Sequence, residues 1–116
     1  MIEPMDKALE TIETLLRKYG HVYQANLAEI ARTRWAQDPD DACRAVNNAD
    51  WWDDRDSIAA VDLALDGGFS AQARADGQAL RQALIRVYEY MQAYGQHNAE
   101  AELMVSQFNK WLTSHI

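Results

Sequence analysis

Leu80, Leu84, Val87, Met91 and Tyr94 recur at steps of four, three, four and three residues. Only an α-helix returns side chains at that spacing to one side, so a long helix is predicted from about Ala71 to Tyr94, ended by Gly95. Gly77 weakens the start of such a helix by roughly 1 kcal/mol relative to Ala, which would move its beginning toward Asp76. A stripe of this kind is more often core than a seam between two copies, so homodimerisation along it is the lesser option.

The same periodicity organises most of the chain. Pro4 suits a first helical turn, where a missing N–H costs nothing. Met5, Ala8, Leu9, Ile12, Leu15, Leu16 and Tyr19 then form one face. Arg17 and Lys18 fall where the helix dipole favours cations, and Gly20 offers the left-handed stop. A second helix is predicted from about His21 to Gln37, with Tyr23, Leu27, Ile30, Ala31 and Trp35 along one side. The short break at Gly20 implies an antiparallel pair. Asp38-Pro39 reads as a cap and a first-turn proline, opening a short helix to about Val46 with Ala42, Cys43 and Val46 inward. The last helix runs from the Asn98 cap to about Ser114, burying Ala101, Met104, Val105, Phe108, Trp111 and Leu112. Its early Glu100 and Glu102 and late Lys110 agree with the dipole.

Residues 47–70 differ in character. Asn47-Asn48 and Gly67-Gly68 are breaker pairs, and the stretch from Asp50 to Asp56 is too polar and too aromatic for ordinary helix interior. Ile58, Val61 and Leu65 fit a short helix capped by Ser57, whereas Val61, Leu63 and Leu65 alternate like a strand. Periodicity does not separate the two, and helix is preferred. The expected fold is all-α: a compact bundle of four long helices plus one or two short helices in an acidic central segment, forming one domain over residues 1–116.

A chain of 116 residues with 48% apolar content can bury a core without staples. Cys43 is the sole cysteine, so no internal disulfide is available. The start lacks a signal peptide's pattern, and no apolar run approaches the ~20 residues that span a bilayer. A cytoplasmic protein without membrane association is the expectation.

The net charge is −7, and its placement says more than its size. Asp38, Asp40, Asp41, Asp50, Asp53, Asp54, Asp56, Asp62 and Asp66 are accompanied by only Arg44 and Arg55, while the rest of the chain holds nine acids and nine bases. Direct nucleic-acid binding needs clustered Lys and Arg and is disfavoured. A basic partner, reached by electrostatic steering, is favoured.

Candidate chemistry is sparse. Asp50, Asp53, Asp54 and Asp56 crowd seven residues, yet they lack the glycine turn and final glutamate of a calcium loop, so a solvated acidic surface is the better reading than a metal site. His21, His97 and His115 belong to no ligand or catalytic pattern. Cys43 reads as a buried inert thiol. Gly67-Gly68-Phe69-Ser70 before a helix is a weak phosphate-cradle signal without a lysine. Neither an enzyme nor a cofactor is expected. Adjacent Trp51 and Trp52 cannot share one face of a regular element. One ring is expected inside and the other near the surface among aspartates, as an aromatic anchor would be in an interface; the alternative, only slightly less favoured, is that both rings cover the end of the bundle. Asp50, Trp51, Trp52, Asp53, Asp54 and Asp56 are the candidate partner-binding residues.

The order of parts resembles small helical bacterial immunity proteins, which are paired with secreted antibacterial toxins. The likeness rests on the opening helix Leu9-Glu10-Thr11-Ile12-Glu13-Thr14-Leu15-Leu16-Arg17-Lys18-Tyr19-Gly20 and on Leu27-Ala28-Glu29-Ile30-Ala31 in the next. The Trp-rich link, Asp56-Ser57-Ile58, Val61-Asp62-Leu63-Ala64-Leu65 and the Leu80–Tyr94 helix complete it, so that it covers roughly residues 8–95. The resemblance implies a binding protein without catalytic residues, which holds a cognate toxin's active site shut or blocks substrate access. A toxin acting on nucleic acids or nucleotides has a basic cleft, which an acidic segment can fill. The alternatives are an adaptor or chaperone, a dimeric structural module, and, less favoured, a metal-dependent phosphohydrolase.

Overall fold

The computed structural model describes residues 4–53 and 55–113. Its elements are α1 (Met5–Lys18), α2 (Val22–Gln37), α3 (Pro39–Ala45), α4 (Ala49–Trp52), a 3-10 turn (Ile58–Ala60), α5 (Leu63–Asp66), α6 (Ala71–Ala93) and α7 (Ala99–Thr113). The described residues contain no strand. The fold is all-helical, and among the described residues four of its elements are two turns or shorter.

The central packing is α1 on α2 and α1 on α6, with α7 and α5 added against α6. Met5, Ala8, Leu9, Ile12 and Leu16 of α1 are buried, as their spacing requires. So are Leu80, Leu84, Val87 and Met91 of α6. Tyr94, the last residue of that stripe, is 38% exposed and meets Trp35 edge-on, with ring centroids 5.6 Å apart. The α6 helix begins at Ala71 despite Gly77, because the Ser70 hydroxyl accepts the Ala73 N–H at 3.1 Å.

One helix presents a face other than the one expected, and α7 departs from its expected face at one residue. In α2 the buried residues are Ala25, Ala28 and Ala31, while Tyr23 and Ile30 stand exposed. An alanine row lets α2 approach α1 closely, leaving the larger apolar side chains half-buried, as Leu27 and Trp35 are, or outside. In α7, Ala101, Val105 and Phe108 are buried, but Trp111 is 45% exposed.

The two long turns close in the same way. Gly20 and Gly95 take φ of 83° and 80°. Each allows paired bonds back into the last helical turn: His21 N–H to Leu16 carbonyl and Gln96 N–H to Met91 carbonyl, both 2.8 Å. The predicted start of a second helix at His21 and a stop at Gly95 follow from this geometry.

Residues 57–65 are neither one helix nor a strand. The 3-10 turn ends at Val61 in extended backbone, and Asp62 opens α5 by accepting the Leu65 N–H at 3.1 Å. An acid that caps a new turn outcompetes continuation of the previous one. Gly67 then allows a close approach, since a Cβ there would lie 2.3 Å from the Ala73 Cβ.

Candidate partner-binding surface

Asn48 creates the site's backbone. Its side-chain amide donates to the Ala45 carbonyl at 2.7 Å, closing α3, and its oxygen accepts the Trp51 N–H at 3.3 Å, opening α4. The single turn so formed carries Trp51 and Trp52 into the core.

Both rings are buried, at 1% and 2% exposure. The preferred expectation of one outer tryptophan is therefore corrected, and of the two readings the one with both rings packed inside fits. Neighbouring side chains on a helical turn do diverge, but α4 is inserted among other elements and packs against the 3-10 turn and α7. Divergent rings are both covered when the segment is surrounded rather than laid on a surface. The Trp52 indole N–H donates to the Val46 carbonyl at 2.8 Å, and its ring stands edge-on to Tyr88 at 6.4 Å. The two tryptophans hold the acidic segment in place from beneath.

The aspartates divide into two groups. Asp38 and Asp62 are helix caps, accepting the Asp40 N–H at 3.1 Å and the Leu65 N–H at 3.1 Å respectively. Asp41 lies 3.6 Å from Arg34 and 3.7 Å from Arg44. Asp66 meets the His21 ring at 2.7 Å. These acids serve the fold, because a stretch broken into four short elements needs several helix starts. By contrast, Asp40, Asp50, Asp53 and Asp56 neither cap a helix nor have a cationic side chain within 4 Å among the described residues, and Asp40 stands apart from the other three in α3. Asp53 and Asp56 are exposed and Asp50 is half-buried. Asp54, the fourth acid of the predicted group, lies outside the described residues.

Asp56 also lines an open cleft of about 250 Å³ together with His21, Gln24, Arg55, Asp62 and Asp66. Gln24 ties this rim to α2 by donating to the Asp56 carbonyl at 2.9 Å. Three acids against one arginine make the cleft an attractive place for cations and basic side chains. Among the described residues, no group of three or more His, Cys, Asp or Glu side chains is placed to hold a metal ion.

The remaining predicted groups take separate places. Cys43 is buried, and burial, with a smaller contribution from Asp40, pushes its thiol up to about 11. It is protonated and unreactive at neutral pH. His97 is exposed in the turn before α7. His115 and Ser114 lie outside the described residues.

Two polar clusters escaped the sequence. The Asp76 carboxylate, at 8% exposure, accepts from Lys18 at 2.7 Å, Tyr19 at 2.8 Å and Gln72 at 2.9 Å. These bonds, that from Lys18 foremost, lower its pKa, and the same contact raises those of Lys18 and Tyr19. The cluster locks the end of α1 to the start of α6. Asn47 donates to Gln96 at 2.9 Å and accepts from Asn98 at 2.9 Å, pinning the end of α3 to the α6–α7 turn. Partners 49 to 58 positions apart leave no local pattern to read.

No helix among the described residues is long and apolar enough to cross a membrane. Compared with known protein families, characterised proteins and solved structures, the chain matches none.

Proposed function

We propose that this chain is an immunity-type inhibitor. It binds a cognate toxin enzyme and blocks its basic active-site cleft, using no cofactor and catalysing no reaction. The observation that carries this reading is a group of acids, Asp50, Asp53 and Asp56, that neither cap a helix nor meet a cation and that flank two buried tryptophans. Unpaired carboxylates raised on a rigid support resemble the phosphates that such an enzyme must attract. Pre-organisation removes the ordering cost of presenting them.

The tryptophans take a different role from the one their sequence suggests. They are not free to fill a pocket on the partner, so they shape the acidic rim and do not touch the toxin. The exposed acids then supply steering and specificity, and their loss acts chiefly on the association rate.

The test is co-expression of the chain with the product of its neighbouring gene. The expected result is co-purification and rescue from that product's toxicity. At low salt, Asp50→Asn, Asp53→Asn and Asp56→Asn together should slow association about tenfold or more. Neither co-purification nor rescue with any adjacent gene product would remove the immunity reading. Unchanged association at low salt would remove the acidic rim from it.

A further inference from the structure

Asp62 borders two clefts. Beyond the acidic one lies an open cleft of about 390 Å³ whose wall includes Phe69, Arg74, Arg81 and Trp111. This second cleft sets one carboxylate, Asp62, against two arginines, so its balance is positive where that of the first is negative.

Three observations single this surface out. Phe69 is 57% exposed and holds φ at 63°, a left-handed backbone that crowds the Cβ of a bulky residue. It follows Gly68 at φ 65° in the turn that closes α5, and its N–H donates to the Ala64 carbonyl at 2.7 Å. The fold thus holds a strained residue while burying little of its ring. Second, Trp111 offers a half-exposed indole, over which the Arg81 guanidinium lies at 4.6 Å, so an aromatic and a cation are already assembled. Third, Arg17, Arg32, Arg34, Arg44 and Arg86 each stand within 4 Å of a carboxylate. Among the described residues Arg55, Arg74 and Arg81 do not, and Arg55 faces the acidic cleft, so Arg74 and Arg81 are the two that meet in one place. In a chain of net charge −7, two arginines without carboxylates beside two exposed aromatics form a local reversal of sign.

We propose that this cleft docks an acidic segment of a partner protein that carries a large apolar side chain. The apolar group packs between Phe69 and Trp111, and flanking carboxylates pair with Arg74 and Arg81. Arginine's planar fork suits carboxylates, and aromatic and arginine side chains are the ones that dominate interface energetics. The open shape suits an extended segment better than an enclosed small molecule. The inference goes beyond the inhibitor reading and stands without it, since it rests on a different surface of opposite charge.

The test uses the full chain, isotopically labelled, and two capped synthetic peptides. In one, aspartates flank a central Leu–Phe pair; in the other, lysines replace the aspartates. The acidic peptide should shift the Trp111 indole N–H signal saturably, and the lysine peptide should not. Arg74→Glu with Arg81→Glu should weaken binding about tenfold or more. Arg74→Glu alone, on an exposed residue, keeps the charge test valid if the Arg81 change loosens α7. Phe69→Asn should weaken binding about tenfold while the thermal midpoint holds or rises, because Asn tolerates left-handed backbone. An equal response to both peptides, no saturable response at millimolar peptide, or a lower midpoint for Phe69→Asn would overturn the proposal. So would Trp111 shifts that follow protein concentration without peptide, which would assign the cleft to a second copy.

Discussion

The α1–α2–α6 scaffold and the stretch from Asp38 to Ser70 reach the same burial by different means. In the scaffold, long helices repeat an apolar face, and each residue contributes a little. In the central stretch no element exceeds seven residues, so no face repeats long enough to hold itself. Two tryptophans and a series of side-chain caps replace the periodic face. The difference teaches that an acid-rich segment need not be a binding surface throughout. Asp38 and Asp62 cap, and Asp41 and Asp66 pair. The acids with no such task, Asp40, Asp50, Asp53 and Asp56, are the ones a partner can engage without disturbing a cap or an ion pair.

The largest expected effect tests the claim that tryptophans anchor the central stretch. Trp52→Ala removes a ring at 2% exposure and leaves the Val46 carbonyl unpaired. It should cost about 3–5 kcal/mol in chemical denaturation, as much as a large core truncation in the scaffold. A cost below about 1 kcal/mol would make the segment a loop draped over the helices and break the contrast.

Next in size is the cap. Asn48→Ala loses bonds to both Ala45 and Trp51 and should destabilise by about 1–2 kcal/mol, read by the same denaturation. An exposed helical position such as Gln82 changed to Ala should move stability by less than about 0.5 kcal/mol.

A narrower effect, confined to acid, belongs to the scaffold. The folded Asp76 titrates below its unfolded value, near 3.8, because Lys18, Tyr19 and Gln72 hold its charged form. The unfolded chain therefore binds more protons in that window. The stabilisation is whole above about pH 4 and is lost as pH falls through the folded pKa. Thermal midpoints of the wild type should fall more steeply below pH 4 than those of Asp76→Asn. Parallel acid slopes would contradict the assignment.

The scaffold was legible because its information is local. The rows Met5 to Leu16 and Leu80 to Met91 carry their own period, Gly20 and Gly95 mark turns by backbone preference, and Asn98 marks a helix start by its capping side chain. The alanine face of α2 was not, since large apolar residues lie around that helix and only the partner decides which side is covered. In the candidate site the acidic cluster was plain, but the depth of Trp51 and Trp52 was not. A rule that neighbours diverge assumes a core on one side, whereas α4 is surrounded. The division of aspartates into caps and unpaired acids depended on where short turns begin, and the break at Val61-Asp62 is set by a side-chain bond with no periodic trace.

The central claim is that the unpaired acids are dispensable to the fold. Equilibrium unfolding of a variant carrying Asp53→Asn and Asp56→Asn tests it without any partner. Stability within about 0.5 kcal/mol of the wild type, or above it through relief of like-charge repulsion, is the expected result. A loss of more than about 1 kcal/mol would show that these carboxylates hold the segment together, as Asp38 and Asp62 do, and would contradict their assignment to a partner.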